Sequence, residues 1–442
     1  MAGGTFKAQN KTRPGAYINF KGVSQPLSSL GTRGIVTMPV ALSWGAEITE
    51  LLSTELLDGG SLPKIGYTAF DEEAQLIREA LKHCYKAVIY RLDIGGTKAT
   101  AVLENLVATA KYAGTVGNEI SISVTENEDK FDVITTFRGI ERDRQTVSTI
   151  AELMPNDWVV FSGTGGLEAQ AGVTMSSGTN GTISQSTYAT YLDKIKSYNW
   201  DTMGIPYETE ATNANIITFI KNMREVIGKK VQAVLYNAEA DYEGIISVNQ
   251  GYATASEVIS PTSFVAYIAG LTAGSSADTS NTYHVIDGAV SITYPEGIAP
   301  YGDEDIEDAL KQGKLVLSTR RDGAIVIEQD INTLHTFTPE KGYAFSKNRV
   351  IRTLDEINNS VALIFERNYI GKVSNNADGR NIFKSDIISY LNDLQAISAI
   401  QNFDSAVDIQ VEAGQNIDSV AANLAIQPVD SMEKLYMTVL VG

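Results

Sequence analysis

The sequence predicts a multi-domain α+β protein in which a run of short strands separates regions where helices and strands alternate. Between Thr97 and Phe161, alternating apolar and polar residues predict successive strands with no helix among them, which is typical of a β-sandwich or small barrel. From Thr187 onward, helices alternate with apolar strands, which predicts a covered, mainly parallel sheet. Two long amphipathic helices, Asn348–Tyr369 and Arg380–Ile400, then predict a separate C-terminal domain.

The N-terminal region combines an arm with a strand-helix-strand unit. Residues 1–15 are rich in Gly, Lys, Asn and Thr, which indicates a flexible arm. Alternation over Ala16–Phe20 predicts a short strand after the arm, and a frayed end with one edge strand is the alternative. Asp71–Cys84 has acids in its first turn and apolar residues at helical spacing, so it predicts a helix between the strands Gly34–Leu42 and Lys86–Leu92.

Composition limits the classes of function. The chain has 442 residues, 43% of them apolar, so it can form about three domains of roughly 100–200 residues with sizeable cores. Its 35 basic and 53 acidic residues give a net charge of −18. This balance argues against a nucleic-acid partner, which needs a basic face to neutralise phosphates, and against binding anionic lipid. It favours soluble subunits whose mutual repulsion must be overcome during assembly.

Residue patterns that indicate a metal, a cofactor or a membrane are missing from the sequence. Cys84 is the only cysteine, which excludes an internal disulfide and a thiolate metal cage. His83, His284 and His335 are too scattered in sequence to suggest a metal motif. No apolar run approaches the roughly 18 residues of a membrane helix, and the N-terminus lacks the apolar region of a secretory signal. We expect synthesis and assembly in a cytoplasm, with no cofactor, no metal and no membrane partner.

Individual elements follow from periodicity and from helix-end signals. The predicted sandwich strands are Ala99–Leu103, Val107–Tyr112, Ile120–Glu126, Phe131–Phe137 and Gln145–Ile150. Ser162–Ser186 is dominated by Gly, Ser and Thr, which predicts a linker or surface loop. The predicted helices of the α/β region are Thr187–Tyr198, Asn213–Ile227, Pro261–Leu271 and Asp303–Gln312.

The stretch Lys314–Leu334 (KLVLSTRRDGAIVIEQDINTL) predicts a β-hairpin with a polar exit. Two alternating segments flank Asp322-Gly323, a pair that favours a two-residue type I′ turn because Gly accepts positive φ. Glu328 and Asp330 fall on one face where the second strand ends. These acids could bind a cation, but we expect solvation or an arginine partner across the hairpin, Arg320 or Arg321.

The C-terminal sequence Met432–Val441 (MEKLYMTVLV) predicts a final strand. Leu435, Met437, Val439 and Val441 would lie on one face, and Tyr436, Thr438 and Leu440 on the other. A strand with apolar residues on both faces must be paired, because an open edge of this kind aggregates. It could pair within the chain or be added to the sheet of a neighbouring subunit.

The most enzyme-like motif is Asp93–Lys98 (DIGGTK), which resembles the first phosphate loop of actin-like sugar kinases. In those kinases the motif opens the chain, whereas about ninety residues precede it here, and a matching cysteine-rich zinc cluster is impossible with one cysteine. A Gly-Gly turn between two domains is the simpler interpretation. No nucleophile, triad or acid–base pair has a supporting sequence context, so we expect no catalytic residues and no enzyme.

Three segments together carry a family resemblance: RPGAYINF near the start, SSGTNGT before the helix at Tyr188, and RRDGAIVIEQDINTL in the hairpin. With the long helices and terminal strand, they resemble the phage contractile tail sheath family over nearly the whole chain. The resemblance is strongest to sheaths of Gram-positive myophages, defective prophages and phage-tail-like bacteriocins.

The resemblance implies an α+β multi-domain fold in which an N-terminal segment completes a conserved C-terminal domain. The central α/β domain is expected to be subtilisin-like in fold only, without proteolysis. The implied boundaries are an N-terminal arm at 1–20, an N-terminal segment at 21–96, a β-sandwich at 97–177, the α/β domain at 178–338 and the C-terminal domain at 339–442.

The resemblance also implies a mechanical function. Subunits would stack as six-fold rings around a tail tube, meet baseplate and tail terminator proteins, and contract to drive the tube through a target cell envelope without nucleotide hydrolysis. The implied location is the virion tail or a phage-tail-like particle, with genome ejection as the outcome in an infectious phage. Terminal strands exchanged between subunits would hold the polymer together. The candidate exchange residues are Tyr17, Ile18, Phe20, Leu435, Met437, Val439 and Val441.

Two alternatives to the sheath remain at this point. One is an actin-like sugar kinase-type enzyme that binds nucleotide at Asp93–Lys98. The other is an adhesin-like multi-domain protein that does not polymerise.

Overall fold

The computed structural model describes residues 2–4, 15–17, 33–207 and 210–441, which fall into two compact units. The larger unit contains the described residues up to 358 together with residues 428–441. The smaller unit contains residues 359–427 and a parallel pair formed by β1 (Ala2–Gly4) and β2 (Gly15–Tyr17).

The larger unit begins with the strand-helix-strand region. Its elements are β3 (Ile35–Val40), β4 (Ile48–Leu52), α1 (Ser53–Asp58), α2 (Leu62–Ile65), α3 (Gln75–Leu81) and β5 (Lys86–Arg91). Helix α3 is shorter than the predicted helix, and a 3-10 turn at Glu72–Ala74 leads into it. Asp71 does not cap α3, because its carboxylate accepts hydrogen bonds from the backbone N and hydroxyl of Thr68 at 2.6 and 2.8 Å.

The β-sandwich follows. Its strands are β6 (Lys98–Leu103), β7 (Leu106–Ala113), β8 (Ile120–Asn127), β9 (Lys130–Phe137), β10 (Ile140–Val147), β11 (Val159–Gly163) and β12 (Gln170–Thr174). They form a sheet with the order β10-β9-β8-β12 and a second sheet with the order β11-β7-β6. Strand β12 lies within the predicted loop Ser162–Ser186, because its sequence QAGVT is a largely exposed edge strand without apolar alternation.

The α/β region supplies the remaining helices and strands of the body. They are α4 (Gln185–Ile195), β13 (Thr202–Ile205), α5 (Glu210–Lys221), β14 (Gln232–Tyr236), β15 (Ile245–Val248), β16 (Gly251–Ala253), β17 (Val258–Ile259), α6 (Pro261–Gly274), β18 (Ser291–Thr293), α7 (Asp303–Lys311) and β19 (Lys314–Leu315). Helix α5 continues as a π-helical segment, Asn222–Ile227, which ends at Gly228 with a φ of +86°.

A seven-stranded sheet organises this region, with the order β19-β15-β14-β13-β3-β5-β4. Neighbouring strands are parallel except at the edge, where β4 runs antiparallel to β5. Strand β3 pairs with both β13 and β5, so the segment 33–91 contributes three strands to the α/β sheet. The sequence resemblance implied that the segment 21–96 packs with the C-terminal domain, and that packing stays a prediction. Apolar periodicity identifies a strand but not the strand it pairs with, so the pairing of β3 with β13 was not predicted.

Both faces of the sheet are buried, as expected for a parallel sheet. Along β5, Ala87 and Ile89 enter the core that contains α3 and α6, whereas Val88 and Tyr90 enter the core on the opposite face with α4 and α5. Helix α6 is buried over nearly its whole length. It lies close to α3, because a Cβ on Gly270 would come within 1.9 Å of the carbonyl oxygen of Ala80.

The hairpin predicted around Asp322-Gly323 consists of β20 (Leu317–Thr319) and β21 (Ile325–Ile327). Its turn differs from the two-residue type I′ form. Gly323 has a φ of +88°, but Asp322 does not share the positive φ that type I′ requires, and Arg320 N–H donates to the Ala324 carbonyl at 2.8 Å. The loop is therefore Arg321–Asp322–Gly323 with the glycine in the left-handed position, a common three-residue hairpin connection.

The C-terminal elements are α8 (Asn348–Asn368), α9 (Ala377–Ala396), β22 (Ile400–Gln401), β23 (Ile409–Ala413), β24 (Val420–Leu424) and β25 (Gln427–Pro428). In the smaller unit, the end of α8 packs on α9 through rings: Phe383 lies 5.1 Å from Phe365 and 4.8 Å from Tyr369 between centroids. The structure thus confirms a multi-domain mixed α and β fold with a β-sandwich.

Two histidines that are far apart in sequence lie together beside α6: His83, which follows α3, and His284, from the connection after α6. The rings of His83 and His284 lie 5.4 Å apart, and Tyr267 from α6 contacts both of them. Burial, with the positive charges of His284 and Lys82 nearby, lowers the pKa of His83 to about 4, although Asp287 opposes the shift. Burial likewise lowers the pKa of His284, against the opposing charges of Asp287 and Asp330.

This histidine pair predicts a decline of stability in acid. The unfolded chain protonates His83 near the ordinary pKa of 6.5, so it binds more protons than the folded chain as the pH falls from 6.5 toward 4. Stability is retained above that window and lost within it. We expect the thermal midpoint to fall between about pH 7 and about pH 5, and the fall measured by calorimetry should be smaller for His83→Gln than for the wild type. The exposed His335 provides the control His335→Gln, and an equal decline in all three proteins would contradict the prediction.

Candidate functional site

The C-terminal arm, residues 428–441, belongs to the larger unit and ends the described chain. The predicted strand Met432–Val441 is not formed in the single chain, and none of the described strands pairs with it. A strand requires a hydrogen-bonding partner, which apolar alternation alone does not supply. Sequence patterning therefore predicted a strand that the isolated chain leaves unpaired.

The arm exposes apolar side chains on both of its predicted faces. Leu435, Met437, Val439 and Val441 are exposed to 85%, 73%, 68% and 92%. The opposite face is no more protected, since Tyr436 and Leu440 are exposed to 90% and 92%. A contiguous apolar segment of this kind marks an interaction site or an aggregation liability.

Of the predicted N-terminal exchange residues, Tyr17 lies at the end of β2. Ile18 and Phe20 lie outside the described residues. Whether any of the predicted terminal residues takes part in exchange stays a prediction at this point.

The start of the C-terminal arm is attached to the body of the larger unit at Glu433, a residue that was not predicted from the sequence. We call this attachment the root of the arm. Glu433 forms an ion pair with Lys347, and it accepts hydrogen bonds from Gln329 Nε2 at 2.7 Å and Thr282 Oγ1 at 2.8 Å. Burial alone would raise the pKa of Glu433, but the hydrogen bonds from Lys347, Thr282 and Gln329 outweigh it and lower the pKa. The sequence signal was a glutamate interrupting an otherwise weakly charged terminal segment.

Beside this root, the polar exit of the hairpin is a buried charge cluster. Asp330 Oδ2 accepts from Arg352 Nη2 at 2.8 Å and from the backbone of Asn281 at 2.9 Å, and Asp330 Oδ1 accepts from Asn348 Nδ2 at 2.9 Å. Both charged side chains are at most 3% exposed. Burial opposes ionisation of Asp330, yet the charge and hydrogen bonds of Arg352, with those of Asn281 and Asn348, lower its pKa.

This cluster corrects the expected partners of the hairpin acids. Arg320 pairs with Asp322 in the turn rather than reaching the exit. Glu328 accepts a hydrogen bond from the hydroxyl of Ser318, and Asp330 pairs with Arg352 of α8. The alternation of a hairpin predicts only partners across its two strands, whereas Arg352 lies on a helix whose packing the sequence pattern does not predict.

A second buried ion pair attaches the first half of α8 to the α/β body. Arg224, in the π-helical segment after α5, donates to both carboxylate oxygens of Asp355 at 2.6 and 2.8 Å. Asn358 Nδ2 donates to the Gly228 carbonyl at 2.9 Å, and Gln232 bonds Asn348 at 3.2 Å. Bidentate geometry is the strongest arrangement available to an arginine–carboxylate pair, so α8 is firmly positioned here.

Removing one charge from the Asp330–Arg352 pair should be strongly destabilising. Asp330→Asn leaves the Arg352 guanidinium buried without its counter-charge, which typically costs about 3–5 kcal/mol of unfolding free energy. Denaturant unfolding measures this cost. The matched control is Asp322→Asn, which removes the exposed carboxylate of the Arg320 pair in the same hairpin and should leave stability nearly unchanged. Equal effects of the two substitutions would contradict the buried-pair interpretation.

In the smaller unit, β23 and β24 form a two-stranded hairpin. Each pairs only with the other among the described strands, so both outer edges carry unpaired backbone groups. Ile409 is buried on the α9 side, whereas Gln410, Glu412, Ala421 and Asn423 are exposed. An exposed two-stranded hairpin of this type is a surface to which further strands can be added.

Helices α8 and α9 also border a cleft of about 490 Å³ within the smaller unit. Its apolar lining includes Phe365, Tyr369, Phe383 and Val420, and its polar lining includes Arg380. Arg380 donates hydrogen bonds to the backbone and side-chain oxygens of Asn375. The remaining polar lining consists of Ser374, Asn375 and Asp418.

The kinase-like motif is a packed crossing of two connections rather than an open phosphate loop. A Cβ on Gly96 would lie 1.8 Å from the Thr179 carbonyl oxygen, and one on Gly181 would lie 1.7 Å from that of Ile94. The Asp93 carboxylate accepts from Leu42 N–H and Arg91 Nε at 3.0 and 2.9 Å. The glycines are explained by the close approach of the two chains that enter and leave the β-sandwich.

This crossing predicts a stability defect at Gly96. Gly96→Ala forces the two connections apart and should lower the free energy of unfolding by about 1–3 kcal/mol, as overpacking usually does. Gly166→Ala is the control, since a Cβ there meets nothing within 4 Å and the residue has no positive φ. Denaturant unfolding measures the free energy of unfolding of both variants, which should fall for Gly96→Ala and stay near the wild type for Gly166→Ala. An unchanged Gly96→Ala protein would overturn the packing explanation.

Other candidate sites are not brought together. In the part of the chain that the structure describes, no three His, Cys, Asp or Glu residues are arranged to hold a metal ion. Cys84 is buried, and this burial raises the pKa of its thiol to about 12. The described helices include none that is long and apolar enough to cross a membrane.

Comparison with known proteins identifies the family. Models of the phage tail sheath β-sandwich, central and C-terminal domains match residues 95–180, 181–333 and 340–442. The crystal structure of the sheath tail protein from Desulfitobacterium hafniense is 42% identical, with a TM-score of 0.81 over 96% of this chain and 99% of that one. The chain belongs to the phage tail sheath family.

Two further similar proteins differ in their sequence identity to this chain. The phage-like element PBSX protein XkdK of Bacillus subtilis is 34% identical, and the match covers 99% of each chain. The helical sheath of the anti-feeding prophage in its contracted state is only 10% identical but shares the fold, with a TM-score of 0.56 over 97% of this chain and 99% of that one.

Membership confirms the resemblance predicted from the sequence. It gives the protein a structural sheath role as a component of a phage tail or phage-like tail. Sheath domains are structural, which agrees with the expected lack of an enzymatic role.

Proposed function

We propose that this sheath protein polymerises around a tail tube and contracts to drive the tube through a target cell envelope. The observation that carries the proposal is the unpaired C-terminal arm. Its apolar side chains are exposed on both faces, while its root is fixed to the body by Glu433. A folded chain that holds such a segment ready for pairing is suited to polymerisation by strand addition.

The acceptor for the arm is the β23–β24 hairpin of a second copy. Both outer edges of that hairpin offer unpaired N–H and C=O groups, so an added strand gains main-chain hydrogen bonds whatever its side chains. Leu435, Met437, Val439 and Val441 then cover one face of the enlarged sheet. Tyr17, Ile18 and Phe20 are the corresponding residues of the N-terminal arm, which reaches a neighbouring copy in the same manner.

Strand exchange suits a sheath that must rearrange without separating. Main-chain hydrogen bonds keep neighbouring copies connected, while the residues between arm and body act as hinges. Stacked six-fold rings in an extended form pass to a shorter, wider form with more contacts, and the free energy is stored in folding and assembly. No nucleotide is needed, and the close packing at Gly96 supports that view.

The proposed partners are further copies of the chain, the tail tube protein, and baseplate and tail terminator proteins. The smaller unit, with the end of α8 and with α9, is the proposed tube-facing part. The anti-feeding prophage sheath and its baseplate, which share this fold, are structures of a contractile system. The particle assembles in the host cytoplasm, where the net charge of −18 keeps subunits soluble until pairing overcomes their repulsion.

Truncation after Lys434 tests the proposal while it preserves Glu433. Residues 435–441 are exposed and form no strand in the single chain, so their loss should leave the thermal midpoint within about 2 °C of the wild type. It should nevertheless abolish tubes and sheets in negative-stain electron microscopy, with and without tail tube protein and in the absence of nucleotide. Polymerisation of the truncated chain at the wild-type concentration would contradict the proposal.

A proline at the centre of the arm separates main-chain pairing from side-chain contact. Met437→Pro removes a backbone N–H and fixes φ, so it should block assembly, whereas Met437→Ala should only weaken it. Sedimentation of the two variants beside the wild type measures the difference. Equal assembly of both variants would show that main-chain pairing at this position is not used.

A further inference from the structure

Glu433 is the last residue of the C-terminal arm that the body holds. Its carboxylate meets Thr282 from the connection after α6, Gln329 from the exit of β21, and Lys347 from the residue before α8. These three donors come from separate elements of the larger unit. From Lys434 onward every described residue is exposed.

Lys347 makes this contact more than a surface ion pair. Its side chain is 3% exposed and that of Glu433 is 11% exposed. An ammonium removed from water is costly unless it is paired. The Glu433 carboxylate supplies the counter-charge for Lys347, so the fold is more stable when Glu433 stays in place. The Tyr343 ring, with its centroid 5.4 Å from Lys347 Nζ, provides a weaker additional contact.

The first described residues of the larger unit's N-terminal segment also contact α8. Arg33, where the description of the body begins, lies 3.8 Å from Glu356 of α8, and the backbone N–H groups of Gly34 and Ile35 donate to Asp201 at 2.9 and 3.0 Å. Nine residues separate Lys347 from Glu356, which corresponds to about 13 Å along a helix axis.

We propose that the Lys347–Glu433 clamp is a positioning site, which fixes the point where the C-terminal arm leaves the body and presents residues 434–441 to a second copy. This inference rests on the proposed function, because it assigns a role within strand exchange. Without the clamp, the arm pivots from an earlier residue and samples more conformations. Pairing must then order a longer segment, which weakens association even though every residue of the arm is still present.

Trypsin cleavage after Lys434 measures opening of the clamp in the full chain. A protease must draw the residues around Lys434 into its cleft, which requires Glu433 to leave Lys347. Lys347→Met removes the ammonium without altering the cleaved sequence, so release of the peptide Leu435–Gly442, followed by mass spectrometry, should be about tenfold faster. Lys347→Arg, which keeps a cation, should restore much of the wild-type protection.

Lys311→Met is the matched control, because Lys311 is an exposed lysine on α7, far along the chain from the arm. It should leave cleavage after Lys434 at the wild-type rate. The thermal midpoint of each variant, measured first, shows that cleavage comes from a folded chain. If Lys347→Met is too unstable for the assay, Lys347→Gln takes its place, because it also removes the ammonium and leaves the cleaved sequence intact, and it should speed cleavage in the same way. An unchanged cleavage rate in folded Lys347→Met or folded Lys347→Gln overturns the clamp.

Assembly of the same variants separates the clamp from strand exchange itself. Lys347→Met should raise the concentration needed for polymerisation about tenfold, and Lys347→Arg should bring it back toward the wild type. Faster cleavage with unchanged assembly would overturn the positioning role. If truncation after Lys434 blocks assembly but Lys347→Met changes neither measurement, the clamp is wrong and strand exchange stands. If the truncated chain assembles normally, the proposed strand exchange by this arm is wrong, whatever the clamp variants show.

Discussion

A polypeptide segment with apolar side chains on both faces and no paired backbone has to find a partner, and this constraint governs the C-terminal arm. Water satisfies the exposed backbone groups of residues 434–441 in the single chain, but the apolar side chains on both sides of them gain nothing there. Pairing with a second copy satisfies both requirements together. The open β23–β24 hairpin offers the complementary feature, a short sheet whose outer edges are unpaired among the described strands.

Buried charges at Lys347 and along the first half of α8 connect this constraint to the rest of the molecule. Asp330 pairs with Arg352, Asp355 with Arg224, and Lys347 with Glu433 at the root of the arm. Buried ion pairs contribute less to stability than their number suggests, because desolvation offsets much of the attraction. They do fix the relative positions of the elements that carry them, because a shift of either element would leave a buried charge unpaired. They suit a helix that must hold attachment points in fixed positions.

Much of the fold could be predicted because it follows from local patterns. The sandwich strand Lys98–Leu103 alternates exposed and buried residues, and Pro261–Gly274 is largely apolar and follows a serine that caps it. Partner choice could not be predicted in this way. Strand β3 pairs with β13, about 165 residues further on, and the exposed edge strand β12 lacks a periodic signal. The arm was recognisable as an apolar terminal segment, whereas its clamp depended on Thr282, Gln329 and Lys347, which only the folded chain brings together.

Hydrogen exchange at the backbone amides of residues 435–441, compared between monomer and assembled polymer, tests the central claim most directly. The account predicts exchange near the unprotected rate in the monomer, because no described strand pairs with these residues, and strong protection of the same amides in the polymer. Amides of the buried strand Gln232–Tyr236 serve as an internal reference, since they are protected in both states. A polymer whose arm amides exchange as fast as those of the monomer would contradict strand exchange by the C-terminal arm.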